Sequence, residues 1–167
     1  MNAIARPDPL RLVPMTLSDL DAVMAVEQAA YEFPWTRGNM VDSLLTGHLA
    51  SVLLAPDGSV VGYFVAMVGV EEMHLLNLTV APAFQRQGHA RELLDVLVSH
   101  GREHGARRLW LEVRPSNARA RRIYERYGFR LVGMRRGYYP AGPGRREDAQ
   151  VMSLDIDDGL EAAHGLD

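Results

Sequence analysis

Cysteine is absent from this sequence of 167 residues. Its absence excludes disulfide bonds, a thiolate nucleophile and thiolate-bound metal sites. The six histidines do not show a metal-ligand spacing such as H-E-x-x-H, so we expect no metal. Long apolar runs are missing too, since none reaches membrane-spanning length and the first residues lack the apolar segment of a signal peptide. These absences predict a cytoplasmic protein without a membrane partner.

An excess of positive charge is lacking as well. The chain has 18 Lys and Arg residues against 21 Asp and Glu residues, a net charge of −3. Proteins that hold nucleic acid usually carry a basic field, so we expect no direct nucleic-acid partner. The 47% hydrophobic and 23% charged residues are ordinary for a globular protein. We predict one domain at residues 10–156, between a flexible N-terminus at residues 1–9 and a flexible tail at residues 157–167.

Apolar periodicity predicts alternating strands and helices, which is the pattern of a mixed α/β domain. Strands are predicted at residues 10–15, 49–55, 59–70, 73–80, 107–113, 129–134 and 150–156. Helices are predicted after Thr16–Asp19, after Pro34–Thr36, from Ala90 to about His104, and from Asn117 to Gly128. The buried face of the second helix is predicted to consist of Met40, Val41, Leu44 and Leu45. An irregular loop is predicted from Tyr138 to Gly144.

The segment from Val80 to Ala90, V-A-P-A-F-Q-R-Q-G-H-A, joins an apolar strand to a helix. The start of a helix leaves backbone N–H groups unpaired and carries partial positive charge, which suits a phosphate or pyrophosphate. Gly88 allows the backbone to approach such a ligand, and Arg86 and Arg91 add charge-assisted contacts. The segment therefore predicts a site for a nucleotide-like anion. Glycine and proline are also ordinary connecting residues, and this alternative stays open.

Glu112 stands in the strand R-R-L-W-L-E-V, where alternation places Trp110, Glu112 and Arg114 on one face. A carboxylate in so apolar a strand must reach water, an arginine or a substrate cleft. Partly buried carboxylates are also suited to act as general bases near neutral pH. On the residues alone, a structural ion pair with a surface arginine is the better-supported interpretation.

Tyr124 and Asn117 belong to the predicted helix that Gly128 ends. A phenol keeps its proton near neutral pH, so Tyr124 is able to donate one to a leaving group. Core packing is nevertheless the ordinary role of an aromatic residue on an apolar helix face. Asn117 is suited either to cap the start of the helix or to bond a ligand that lies along it.

Five motifs follow one another along the chain. They are F-P-W-T at Phe33–Thr36, Q-R-Q-G-H-A at Gln85–Ala90, L-W-L-E-V-R-P-S-N at Leu109–Asn117, I-Y-E-R-Y-G-F at Ile123–Phe129 and G-Y-Y-P at Gly137–Pro140. Together they resemble the GNAT acetyltransferases, and among these the bacterial enzymes that acetylate the N-terminal alanine of ribosomal proteins. The resemblance extends over residues 10–155, nearly the whole chain.

The resemblance implies a single GNAT domain of the α/β (α+β) class, with a mixed, mostly antiparallel sheet and helices on both faces. It implies that acetyl-CoA is the cosubstrate, bound in a V-shaped opening between the central strands, and that no metal takes part. Glu112 is implied to be the general base. Tyr124 is implied to be the general acid that protonates the departing thiolate.

The resemblance also implies which residues contact the two substrates. Contacts with acetyl-CoA are implied for the backbone of Leu78, Thr79 and Val80, for Arg86, Gln87, Gly88, His89, Ala90 and Arg91, and for Asn117. Contacts with a peptide are implied for Phe33, Trp35, Tyr138 and Tyr139. The acidic residues Glu27, Asp42, Glu71 and Glu72 weakly favour a basic peptide, although each alone is expected to be a solvated surface charge.

The implied reaction is transfer of acetyl to the N-terminal α-amine of a protein, with a ribosomal protein as the partner. Direct attack in a ternary complex needs no enzyme nucleophile, which agrees with the absence of cysteine. An α-amine has a pKa of about 7.7–8.0 against about 10.4 for lysine, so a carboxylate base deprotonates it more easily. Acetylation of lysines or small amines stays open, as does a silent acyl-CoA-binding module, which would need neither Glu112 nor Tyr124. The oligomeric state is open too.

Overall fold

A computed structural model describes residues 9–156. These residues form the strands β1 (Arg11–Pro14), β2 (Leu49–Leu54), β3 (Val60–Val68), β4 (Glu72–Val80), β5 (Arg108–Val113), β6 (Arg130–Pro140) and β7 (Arg146–Asp155). They also form the helices α1 (Leu20–Ala30), α2 (Arg37–Leu45), α3 (His89–Glu103) and α4 (Ala118–Tyr127). Each predicted strand and helix is therefore confirmed in type. The segments predicted to be flexible lie outside the described residues, apart from Pro9.

The strands form one sheet in the order β1-β2-β3-β4-β5-β7-β6. Among the described strands, β4 and β5 make the only parallel pair, and the other neighbours are antiparallel. A parallel pair needs a crossover connection, which α3 provides. The expected mixed, mostly antiparallel sheet is confirmed.

Helices cover both faces of the sheet, and each face has its own core. On one face α3 and α4 bury residues such as Leu94, Leu97 and Tyr124. On the other face α1 and α2 bury residues such as Val23 and Met40. The expected placement of helices on both faces is thus confirmed. Within residues 9–156, no helix is both long and apolar enough to cross a membrane.

One predicted core residue and one predicted loop are wrong. Leu45 is 72% exposed because it ends α2, where Ser43 instead joins Met40 on the buried face. The irregular loop is shorter than predicted, since β6 continues to Pro140 and only residues 141–145 connect it to β7. Proline is tolerated there because β6 is an edge strand that pairs on one side, with β7.

The two central strands separate half-way along their length. Pairing between β4 and β5 stops at Leu75 and Leu111. Beyond this point β4 continues to Val80 and β5 to Val113 without bonding to each other. The expected V-shaped opening between the central strands is therefore present.

A β-bulge in β4 lies at the point of separation. Val65 of β3 is opposite Asn77, whereas the next residue, Ala66, is opposite Leu75, which leaves Leu76 as the extra residue. A bulge bends its strand and increases the local twist. We infer that this bend turns the second half of β4 away from β5.

Candidate active site

A groove follows the opening between β4 and β5 and continues between α3 and α4. It consists of three adjoining cavities of about 360, 530 and 990 Å³. The first two share Tyr31 and Tyr124, and the last two share Val80 and Ala90. Glu112 lines the smallest cavity. The groove therefore connects Glu112 with the start of α3.

The start of α3 has the geometry of an anion site. Arg86 has φ of 63° and Gly88 has φ of 85°, two left-handed residues that turn N–H groups toward one concavity. The first backbone bond of the helix runs from Glu92 N to Gly88 O at 3.2 Å, so the preceding N–H groups have no partner within the helix. A Cβ on Gly88 would meet no atom within 4 Å, so there is room for a side chain at this position. Glycine is favoured here because of the positive φ.

Basic side chains surround the largest cavity. They come from the loop before α3 and from both helices, and are Arg86, Arg91, Arg102, Arg119, Arg122 and Arg126. Gln87 is exposed beside them, and Nδ1 of His89 lies 3.2 Å from Oε2 of Glu92. A concave site with this many guanidinium groups and a helix start suits a ligand with several phosphates.

Leu78 and Val80 form the β4 side of the groove. Their carbonyl oxygens accept hydrogen bonds from side chains, Leu78 from the Tyr31 hydroxyl and Val80 from Nε2 of Gln85, each at 3.1 Å. These two carbonyls therefore face away from β3. Thr79 between them is 2% exposed, pairs with Tyr63 of β3 and lies outside the lining of the three cavities.

A buried polar network supports this side of the groove. Glu27 of α1 is 1% exposed and accepts hydrogen bonds from the Tyr63 hydroxyl, from Nδ2 of Asn77 at 3.2 Å and from the Trp35 backbone N at 3.1 Å. Burial raises the pKa of Tyr31 to about 12 and also raises that of Tyr63, so both hydroxyls remain donors. The expectation that Glu27 is a solvated surface charge is therefore wrong.

Glu112 faces the groove from β5, as the alternation of that strand predicts. Its side chain is 5% exposed, with Oε2 2.5 Å from Nε2 of His74 and Oε1 3.3 Å from Nε of Arg135. Oε1 has no hydrogen-bond partner among the described residues, so the contact with Arg135 is an ion pair only. The structural ion pair is present, and one carboxylate oxygen nevertheless remains able to accept a proton.

Tyr124 of α4 is buried beside the same groove. Its ring packs edge-on against Phe129 with centroids 5.5 Å apart, so Tyr124 is part of the hydrophobic core. It also lines both cavities near Glu112. Burial raises the pKa of the Tyr124 hydroxyl, and the nearby Tyr31 and Tyr139 add to this effect. A phenol in this place keeps its proton, as a general acid requires.

Asn117 caps α4 and also lines the groove. Its Oδ1 accepts a hydrogen bond from Ala120 N at 3.2 Å, which caps α4. It also lines the two cavities that contain Tyr124, so a ligand in the groove lies within its reach.

Arg114 joins the two walls at the mouth of the groove. Its guanidinium lies 4.9 Å from the ring centroid of Phe33 and 4.3 Å from that of Tyr139. Its Nη1 donates a hydrogen bond to the Pro140 carbonyl at 2.8 Å. The loop between α1 and α2 is thereby attached to the end of β6.

The other predicted peptide contacts are divided between the groove and its rim. Trp35 lines the smallest cavity, whereas Tyr138 lies outside the lining, is 42% exposed and packs near Arg135. Glu71 and Glu72 lie at the start of β4, the end opposite the groove. These two acidic residues therefore give no support to a preference for basic peptides.

Replacing Arg114 with methionine is expected to lower the free energy of unfolding by about 1.5–3.5 kcal/mol. This sum combines two cation–π contacts of about 0.5–1 kcal/mol each with one hydrogen bond of about 0.5–1.5 kcal/mol. Urea denaturation measures the change. The control is Arg130→Met, since Arg130 is 80% exposed and makes one ion pair at 3.6 Å, so its loss should cost less than about 0.5 kcal/mol. Equal costs for the two variants would contradict the joining role.

Several residues of the site are not identified by the sequence reasoning. They are Glu27, His74, Asn77 and Arg135, and they reach the site through pairing of distant segments. Asn77 and His74 carry the same signal that Glu112 does, a polar residue within an apolar strand. Glu27 and Arg135 carry no such signal, because polar residues on helices and edge strands are commonly solvated.

Comparison with known proteins identifies the family of this chain. A family profile described as the acetyltransferase (GNAT) family matches residues 20–129. The chain belongs to this family. As a GNAT acetyltransferase it takes its acetyl group from acetyl-CoA. Among residues 9–156 there is no cluster of three side chains of the metal-binding types.

Relatives with named activities are similar over most of their length. The chain is 39% identical over 139 residues to the [ribosomal protein bS18]-alanine N-acetyltransferase of Escherichia coli K12, covering 83% of this chain and 93% of that protein. It is 35% identical to the enzyme of the same name from Haemophilus ducreyi, covering 81% and 93%. The crystal structure of the Escherichia coli ribosomal-protein-S18-alanine N-acetyltransferase superposes with a TM-score of 0.80 at 36% identity, covering 89% and 95%.

Proposed function

We propose that this acetyltransferase acetylates the N-terminal alanine of ribosomal protein bS18. The observation that carries the proposal is the convergence of Glu112 and Tyr124, from β5 and α4, on one groove with an anion site at its far end. The named relatives at 35–39% identity supply the substrate. A ribosomal protein as substrate also favours action in the cytoplasm.

The donor is proposed to lie along the whole groove. Its pyrophosphate is held by the N–H groups and arginines from Arg86 to Arg91, including Gln87, Gly88, His89 and Ala90. Its pantetheine arm runs beside β4, where backbone groups of Leu78 and Val80 bond it, and Asn117 contacts it from α4. The side-chain bonds that Tyr31 and Gln85 make to these two carbonyls are then exchanged for bonds to the ligand.

The acceptor is proposed to enter between the aromatic walls. Phe33, Trp35, Tyr138 and Tyr139 contact the first residues of the peptide, and Arg114 keeps Phe33 and Tyr139 together. The α-ammonium then reaches the region of Glu112, where a negative charge stabilises it before its proton is removed.

The chemistry needs one base and one acid. Glu112 accepts a proton from the α-ammonium, directly or through one water, and the neutral nitrogen attacks the thioester carbonyl. The new C–N bond forms as the C–S bond breaks, and the nitrogen loses its second proton to solvent. Tyr124 donates its proton to the departing sulfur and regains one from solvent, and Glu112 releases its proton to solvent. The products are the acetylated N-terminus and the free thiol of CoA.

Two peptides incubated with the purified protein and acetyl-CoA test this proposal. One begins Ala-Arg and contains no lysine, and the other has a blocked N-terminus and one internal lysine. Intact mass and fragment ions locate any acetyl group. We expect acetyl on the α-amine of the first peptide and none on the second. Acetyl on the lysine alone would overturn the specificity and leave the family intact.

A third arm separates the remaining alternatives. Calorimetry measures binding of acetyl-CoA to the same preparation, and a panel of small amines is assayed for release of the CoA thiol. Tight binding with neither peptide acetylated would contradict the proposal. Thiol release with a small amine would then indicate a small-molecule acetyltransferase, and no release with any amine would indicate a binding module.

A further inference from the structure

His74 occupies the closed end of the opening between the central strands. It lies on β4 opposite Trp110 of β5, one residue before the pairing of the two strands stops. Its ring stacks on the Trp110 ring with centroids 3.7 Å apart and planes inclined by 11°. The side chain is 11% exposed. The stacking and the burial together fix the plane of the imidazole.

The fixed imidazole holds one of the two oxygens of Glu112. Nε2 of His74 is 2.5 Å from Oε2, while Oε1 has no hydrogen bond among the described residues. Arg135 is the other charged neighbour of this carboxylate, at 3.3 Å from Oε1, and its side chain is 47% exposed. The carboxylate is therefore oriented by one tight bond from a buried group and left with Oε1 as the acceptor.

The geometry points to His74 as a positioning residue for Glu112, one that orients the carboxylate by holding Oε2. This inference rests on the proposed role of Glu112 as the base. A general base must keep its accepting atom within hydrogen-bond reach of the proton that it removes. A buried, stacked imidazole that fixes Oε2 therefore keeps Oε1 in one place for that task.

Two substitutions test the orienting hydrogen bond. His74→Gln keeps an N–H donor, whereas His74→Leu loses it. We expect kcat of His74→Gln to remain within about threefold of wild type and that of His74→Leu to fall about tenfold, with the peptide KM unchanged in both.

The matched control is His104→Gln, since His104 is an exposed residue at the end of α3, and its kcat should equal that of wild type. An unchanged kcat in His74→Leu would overturn the orienting role, and so would an equal loss of kcat in His74→Gln and His74→Leu. Thermal melting of each variant confirms that it is folded.

A measurement without substrate keeps the inference separate from the proposed function. The imidazole ¹⁵N and ¹H resonances of His74 are compared by NMR at one pH in wild type and in Glu112→Ala. Loss of the carboxylate removes the hydrogen bond at Nε2, so the Nε2 resonance should shift. Identical spectra would contradict the hydrogen bond, whatever the peptide assay shows. An inactive wild type whose His74 resonance differs from that of Glu112→Ala would instead contradict only the proposed substrate.

Discussion

Glu112→Gln is expected to lower kcat for acetylation of the Ala-Arg peptide by about 10²–10⁴-fold, the range that a general base contributes. Glutamine keeps the shape of the side chain and its contact with His74, but its amide cannot accept the ammonium proton. The remaining reaction should use only amine that is already neutral. Its rate should therefore keep rising with pH toward and beyond the α-amine pKa of about 7.7–8.0.

The measurement is kcat against pH for wild type and variant, with acetyl-CoA affinity and thermal melting recorded for both. Glu103→Gln is the matched control, because Glu103 is 66% exposed on α3 and its ion pair with His100 lies outside the groove. The same kcat as wild type at every pH would remove Glu112 from the mechanism. A melting temperature far below that of wild type would call for the comparison to be repeated at lower temperature.

Tyr124→Phe is expected to lower kcat by about a hundredfold, near the lower end of the range for general acids. The effect is moderate because a thiol, with a pKa of about 8.5, leaves as the thiolate more readily than an alcohol. Phenylalanine preserves the packing against Phe129, so the fold and the affinity for acetyl-CoA should be retained. Single-turnover rates and calorimetry measure the two quantities separately.

The raised pKa of Tyr124 also predicts the alkaline side of the profile. The active form of this residue is the protonated phenol, and burial favours that form. Wild-type kcat should therefore stay level up to about pH 10, the ordinary pKa of tyrosine, instead of falling before it. An alkaline loss below that value that disappears in Tyr124→Phe would contradict the expected protonation.

Local patterns were sufficient to predict the elements and the residues that face the groove within one element. The alternation in β5 predicts the side of Glu112, and the strand–glycine–helix sequence predicts the anion site at α3. The apolar stripe of α4 predicts the burial of Tyr124. Each of these inferences depends on neighbours within a few residues, where side-chain direction follows from backbone geometry.

Contacts between distant segments could not be predicted in the same way. Glu27 is an ordinary acidic residue within its helix, and its burial follows from donors 36 and 50 residues away. The bulge at Leu76 has no glycine or proline to indicate it, and it is set by the register of β3 against β4. The length of β6 is hidden by the Pro and Gly residues that an edge strand tolerates.

The parallel pairing between β4 and β5 forms a short seam in the sheet, and this seam affects which amines variants of the enzyme can accept. The seam joins two half-sheets through four residue pairs, Glu72–Arg108 to Leu75–Leu111. The half-sheet β1–β4 carries the proposed thioester site, and the half-sheet β5–β7 carries Glu112. The seam is the hinge between the two half-sheets, so its residues set the width of the opening. Leu75 and Leu111 of the seam also line the cavity that contains Glu112, and His74 contacts Glu112 itself. Substitutions at the other end of the seam, at Met73 or Leu109, would change the distance between donor and base, and with it the size of amine that reacts, while leaving the catalytic groups intact.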